Sequence, residues 1–175
     1  MSKSSLRRVA ILAQTAIVPV LIASATARVL CQVPKEPVKW SMKASLPDKS
    51  LKPGAKFDLQ LTATIEDGWH LYSLDQEEGG PTPTRILMPA DQPFEQAGAI
   101  ESSEPKTAMD PNFNLTTQYY EDTASFTIPV KVAATAAAGK SQVKVNVSFQ
   151  TCNDELCLPP KTVKLAVDVN VSASR

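Results

Sequence analysis

Two cysteines with four residues between them, Cys152 and Cys157, are the side chains of this 175-residue chain best suited to covalent chemistry. They lie in Phe149-Gln150-Thr151-Cys152-Asn153-Asp154-Glu155-Leu156-Cys157-Leu158-Pro159-Pro160-Lys161, between an alternating apolar run ending at Phe149 and another beginning at Val163. A disulfide needs Cα atoms roughly 4.4–6.8 Å apart, and a bend bounded by Pro159 and Pro160 can bring them there. Closing so short a loop restrains the unfolded chain by about 2 kcal/mol, against nearly 5 for a loop of about 100 residues. As a staple the bridge is badly placed. Two readings follow: a bond made to open and close, or a short structural clip.

If the bond opens, the chemistry is thiol–disulfide exchange, in which a thiolate attacks a disulfide sulfur and the second cysteine resolves the mixed disulfide. Asp154 and Glu155 lie inside the loop, with only Lys161 close on the basic side. Nearby carboxylates disfavour a thiolate, so slow reaction with random oxidants is expected. Exchange of this kind uses the thiols alone and calls for no cofactor. His70 is the only histidine, so a zinc site would have at most Cys152, Cys157, His70 and a carboxylate, without the paired spacings of metal motifs. No metal is expected. Nor does the sequence point to a hydrolase, because no nucleophile motif accompanies His70.

The cysteine run with its double proline resembles the active-site segment of the periplasmic N-terminal domain of the thiol:disulfide interchange protein DsbD. Asp67-Gly68-Trp69-His70-Leu71-Tyr72 is similar to that family's Asp-Gly-aromatic-aromatic-Leu-Tyr segment, and Tyr120 with Phe126-Thr127-Ile128-Pro129-Val130 adds a third match. The resemblance implies that Trp69, His70 and Tyr72 lie beside the cysteines. It implies a cap loop whose aromatic covers the disulfide, for which Phe113 is the candidate, although its flanks Asp110-Pro111-Asn112 and Asn114 depart from the family's acidic residues. It also implies that Cys157 forms the mixed disulfide and Cys152 resolves it. The partners implied are thioredoxin-like periplasmic proteins and a membrane electron donor. The ordinary alternatives remain open: Trp69 and Tyr72 as core and surface packing, Phe113 as an aromatic tucking a loop onto the core.

Upstream, Lys3, Arg7 and Arg8 precede an apolar stretch from Val9 to Ile22 and the small residues Ala25-Thr26-Ala27. This is the layout of a secretory signal cleaved after Ala27, placing residues 1–27 in the leader and the mature chain in the periplasm. An uncleaved membrane anchor is the alternative, but the stretch is short and broken by Gln14 and Thr15. Residues 28–37 read as a flexible linker, with Cys31 as an unpaired thiol or an intermolecular link. Cleavage takes 27 of 175 residues and three of 18 basic side chains, leaving 18 acidic ones. The mature chain, mildly acidic and without a basic cluster interleaved with aromatics, offers no nucleic-acid surface.

The remainder, residues 38–172, must position the cysteines, and its pattern has a period of two. Val38 to Leu46, Phe57 to Ile65, Ala124 to Val132, Val143 to Phe149 and Val163 to Val171 all alternate apolar and polar. Pro129 marks its strand as an edge, since proline cannot donate to a ladder. Ala90 to Thr116, with Pro93, Pro105 and Pro111, reads as irregular. Continuing the count from Val143 places Cys152 on the outward parity, within reach of a partner. Several short strands with turn signals and no helical periodicity predict an all-β fold, an antiparallel immunoglobulin-like β-sandwich.

Two functions fit. One is a periplasmic carrier passing reducing equivalents to oxidised proteins through Cys152 and Cys157. The other is a non-catalytic secreted binding sandwich in which Cys152–Cys157 is a structural clip.

Overall fold

The computed structural model describes residues 36–173; the leader, Cys31 and most of the segment read as a linker lie outside them. Every regular element among the described residues is a strand: β1 (Val38–Ser45), β2 (Lys56–Ile65), β3 (His70–Tyr72), β4 (Arg85–Leu87), β5 (Phe94–Gln96), β6 (Glu101–Ser102), β7 (Lys106–Asp110), β8 (Leu115–Tyr120), β9 (Thr123–Val132), β10 (Gly139–Phe149), β11 (Thr151–Cys152) and β12 (Lys161–Val171). All ladders between them are antiparallel. Pro37 is already buried, and its carbonyl accepts a hydrogen bond from Glu66 N at 2.8 Å.

One sheet runs β1-β2-β9-β5, with β6 also on β9; a second runs β12-β10-β4. The alternation explains why they stack. Leu59, Leu61, Ala63, Phe126, Ile128 and Val130 from the first sheet share a core with Val143, Val145 and Val147 from the second. Burying such a side chain contributes roughly 1.5–3 kcal/mol, and the polar residues between them face solvent. Trp40 closes the layer, its ring 5.7 Å from Phe126 and 5.5 Å from Phe149. The fold is the expected immunoglobulin-like β-sandwich.

Turn chemistry sets the strand entries. Lys52-Pro53-Gly54-Ala55 closes with Ala55 N donating to Lys52 O, and Gly54 takes φ 82°, a conformation that costs glycine nothing. Glu66 to Trp69 repeats the device with Gly68 at φ 75° and delivers the chain into β3.

Two expectations are corrected. Strand β9 is not an edge: it pairs with β2 along its length and with β5 and β6 on its other side. Proline is accommodated because β5 pairs through Gln96↔Val130 and β6 starts at Glu101↔Thr127, leaving Pro129 opposite the gap. Its carbonyl accepts from Ala97 N on that side, which is also where its missing donor points. The stretch read as irregular contains a regular hairpin, β7 with β8, paired from Lys106↔Tyr119 to Asp110↔Leu115. This hairpin belongs to a third sheet, ordered β11-β3-β8-β7, which carries the cysteines and aromatics singled out above.

Candidate functional site

Cys152 and Cys157 form a disulfide with Cα atoms 4.1 Å apart. The residues between them fold into a tight turn: the Asn153 side-chain oxygen accepts from Glu155 N at 3.0 Å and Leu156 N at 2.7 Å, while Asn153 N donates to Leu156 O. Leu158 N donating to Thr151 O closes the outer rung. Short polar side chains that satisfy backbone donors two and three residues on are what allow so sharp a bend. Leu156, at the tip, is 52 % exposed.

The two thiol positions are unequal. Cys157 is partly exposed, whereas Cys152 has no exposed surface at all. The expectation that Cys152 points outward is therefore overturned. The ladder of β10 with β12 ends at Phe149↔Lys161, and after Gln150 the chain enters β11 and pairs with β3 instead. Thr151 and Cys152 are consecutive and both buried, so the parity counted along β10 does not carry into a strand covered on both faces.

The aromatic segment reaches the cysteine loop through β3. Cys152 stands opposite His70 and Thr151 opposite Leu71 across β11 and β3. Trp69 and Leu71 join the sandwich core, while Tyr72, fully buried, lies outside that cluster and faces the third sheet's own centre. There its hydroxyl donates to Asp110 Oδ2 at 2.6 Å. His70 Nε2 lies 3.2 Å from the same hydroxyl and 3.8 Å from Asp110 Oδ2, and its ring is 4.9 Å from Tyr119.

Asp110 was not legible as a site residue. It is 4 % exposed and accepts from Tyr72, from Asn112 N at 2.9 Å and from Thr117 Oγ1 at 3.4 Å. Burial pushes its carboxyl pKa up, but the hydrogen bonds from Tyr72 and Asn112 and the field of His70 outweigh burial and hold it below the ordinary value. Burial and the Asp110 hydrogen bond together push the Tyr72 hydroxyl far above the usual tyrosine range. Burial also lowers the His70 pKa, against the opposing fields of Asp110, Asp154 and Glu121. The one signal for Asp110 was its place at the head of Asp-Pro-Asn-Phe-Asn, a turn-forming run.

Phe113 sits in that turn between β7 and β8, half-buried, with its ring edge-on to Tyr72 at 5.9 Å. Asn112 Nδ2 donates to Asn153 O at 3.0 Å, fastening this loop to the cysteine loop. Asn114 turns the chain back with φ 53° and donates its N–H to Asp110 O. No cluster of three or more potential metal ligands occurs among the described residues.

Comparison with solved structures gives the N-terminal periplasmic domain of ScsB from Proteus mirabilis, 14% identical with a TM-score of 0.49, over 80% of this chain and 49% of that one. BcpA, the major pilin subunit of Bacillus cereus, matches at 12% identity and a TM-score of 0.37, over 78% of this chain and 41% of that one. This chain thus spans about half the length of the first of these structures. No curated protein matches. The family model described as thiol:disulfide interchange protein DsbD, N-terminal, matches residues 42–168, a span that includes the cysteine loop, the aromatic segment and the hairpin bearing Phe113. The chain belongs to the DsbD N-terminal domain family.

Proposed function

We propose that this domain is a periplasmic thiol–disulfide exchange carrier that passes reducing equivalents to oxidised proteins through Cys152 and Cys157. The observation that carries the reading is the unequal burial of a bonded pair that closes only a short loop. Cys157, the accessible sulfur, attacks or is attacked by the partner; Cys152, buried beside it, resolves the mixed disulfide. Phe113 and the loop bearing it act as the cap, with Tyr72 beneath it, and Trp69 and His70 brace the strand opposite Cys152. Exposed Leu156, Pro159 and Pro160 give a partner an apolar rim beside Cys157. The partners are thioredoxin-like periplasmic proteins on one side and a membrane electron donor on the other.

The test is the equilibrium reduction potential of the pair, measured in glutathione buffers on a Cys31→Ser chain. A value between about −180 and −270 mV belongs to exchange proteins. A bond that stays closed below about −300 mV is a structural clip and overturns the carrier reading.

A further inference from the structure

The carrier reading, on which this inference rests, leaves one proton without a destination. Cys152 must be deprotonated before its sulfur can close on Cys157, yet it has no exposed surface. Burial among carboxylates also disfavours spontaneous ionisation of a thiol. A base within the fold is needed.

The hydrogen-bond geometry identifies which nitrogen of His70 is basic. Tyr72 has a single hydroxyl proton, and it is donated to the Asp110 carboxylate at 2.6 Å. His70 Nε2, 3.2 Å from that hydroxyl oxygen, must then be the donor toward it. The imidazole therefore carries its proton on Nε2, and Nδ1 holds a bare lone pair. Among the described residues Nδ1 takes no hydrogen bond. Asp110, acting through Tyr72, orients the ring and fixes its tautomer, as the carboxylate of a hydrolytic triad does for its histidine.

The ladder supplies the proximity. His70 and Cys152 are directly opposed across β3 and β11, and opposed residues of an antiparallel pair project from the same face with Cβ atoms about 4.5–5.5 Å apart. The other titratable groups around the imidazole are Tyr72 on its own strand, Tyr119 on β8, Asp110, Glu121 in the turn after β8 and Asp154 in the cysteine loop. A cavity of about 210 Å³ lined by Glu66, Asp67, Glu121, Asp122 and Asp154 opens beside the ring. The anionic groups among these are carboxylates, and a carboxylate is ordinarily a weaker base than an imidazole, so His70 is the better acceptor for the thiol proton. Burial keeps the imidazole neutral, and hence competent as a base, at neutral pH.

We propose that His70 is the general base for Cys152 in the resolving step. Nδ1 takes the thiol proton as the Cys152 sulfur attacks the Cys157 sulfur of a mixed disulfide. The Cys152–Cys157 bond forms, the bond from Cys157 to the partner breaks, and the electron pair departs on the partner's sulfur, which is then protonated. The cysteine pair has lost two electrons and the partner's disulfide has gained them. In the reverse direction the imidazolium protonates Cys152 as it leaves.

The test isolates resolution from the potential. The Cys31→Ser chain is reduced with a phosphine, freed of it and oxidised with glutathione disulfide. Acid quenching and mass spectrometry then follow formation and decay of the glutathione adduct between pH 5 and 8. His70→Gln retains an amide donor for Tyr72 but is no base. It should form the adduct at the parent rate and resolve it about 100-fold more slowly at pH 7. In the parent chain the resolution rate should bend at the midpoint of the sole imidazole C2 proton, read by NMR, and His70→Gln should lose the bend. Resolution by His70→Gln at the parent rate, or a parent profile without the bend, overturns the proposal. A potential below about −300 mV would overturn the carrier reading alone, because chemical reduction still exposes the resolving step.

Discussion

The hydroxyl of Tyr72 and the carboxylate of Asp110, 38 positions apart in the chain, are joined by a 2.6 Å hydrogen bond with both residues buried. Through it the strand facing Cys152 is tied to the first residue of the loop bearing Phe113. Asp110→Ala leaves the Tyr72 hydroxyl and the Asn112 N–H without their acceptor. A loss of about 1–3 kcal/mol is expected from unpaired buried donors, read by urea unfolding of the oxidised chain. A change below about 0.5 kcal/mol, the size of an ordinary surface substitution, would show that the carboxylate is dispensable there.

Accessibility of the thiols gives a second expectation. In the reduced Cys31→Ser chain, an alkylating reagent at pH 8 should modify Cys157 well before Cys152, because only Cys157 has exposed surface. Peptide mapping of partly labelled protein distinguishes them. Preferential labelling of Cys152 would reverse the assignment of attacking and resolving sulfur.

The loop bearing Phe113 is fastened to the cysteine loop by a side-chain bond that can be removed cleanly. Asn112→Ala deletes the bond to Asn153 O, a contribution of about 1 kcal/mol, or roughly fivefold in a rate governed by loop opening. Reduction of the disulfide by a water-soluble phosphine should accelerate by that factor, with unfolding stability changed little. An unaltered rate would mean that the loop does not limit access.

The pH dependence of stability follows from His70. Its folded pKa is held below 6.5 by burial, so the unfolded chain binds the proton first as pH falls. Stability is therefore full above about pH 6.5 and is lost as pH drops from there through the lowered folded value. Asp110, whose folded pKa is also lowered, contributes stability present above about 3.8 and lost further into acid. His70→Gln should flatten the first of these declines and leave the second. Urea midpoints at closely spaced pH values check both.

In the sandwich core, Phe126 has no exposed surface and lies between Trp40 and Tyr120. Phe126→Ala should cost about 3–5 kcal/mol in urea unfolding; a loss near 1 would mean that the layer collapses onto the space.

The sandwich was legible because β1, β2, β9, β10 and β12 each bury one face against a common core, and a half-buried strand writes that fact into the sequence as a period of two. The cysteine loop was legible by residue type. The third sheet was not, for identifiable reasons. Strand β7 exposes four of its five residues, Met109 being 64 % exposed, so it carries no alternation to read. Strand β11 is covered on both faces, which defeats a parity count. Pro129 suggested an edge because a sequence shows the missing donor but not the gap in the neighbouring ladder that makes it harmless. Asp110 looks like any turn aspartate until folding brings Tyr72 and His70 to it.

Tyr120 is the last residue of the β7–β8 hairpin, pairs with Leu71 on β3, and sets its ring edge-on to Phe126 at 5.6 Å. Phe126 in turn meets Trp40, and Trp40 meets Phe149, two residues before β11 begins. The strands on either side of the disulfide are thus bolted to a single aromatic girder. Leu156 and Cys157 therefore stand over a floor of interlocked rings, while the turn bearing Phe113 is held to that floor at Asp110 and to the cysteine loop at Asn112.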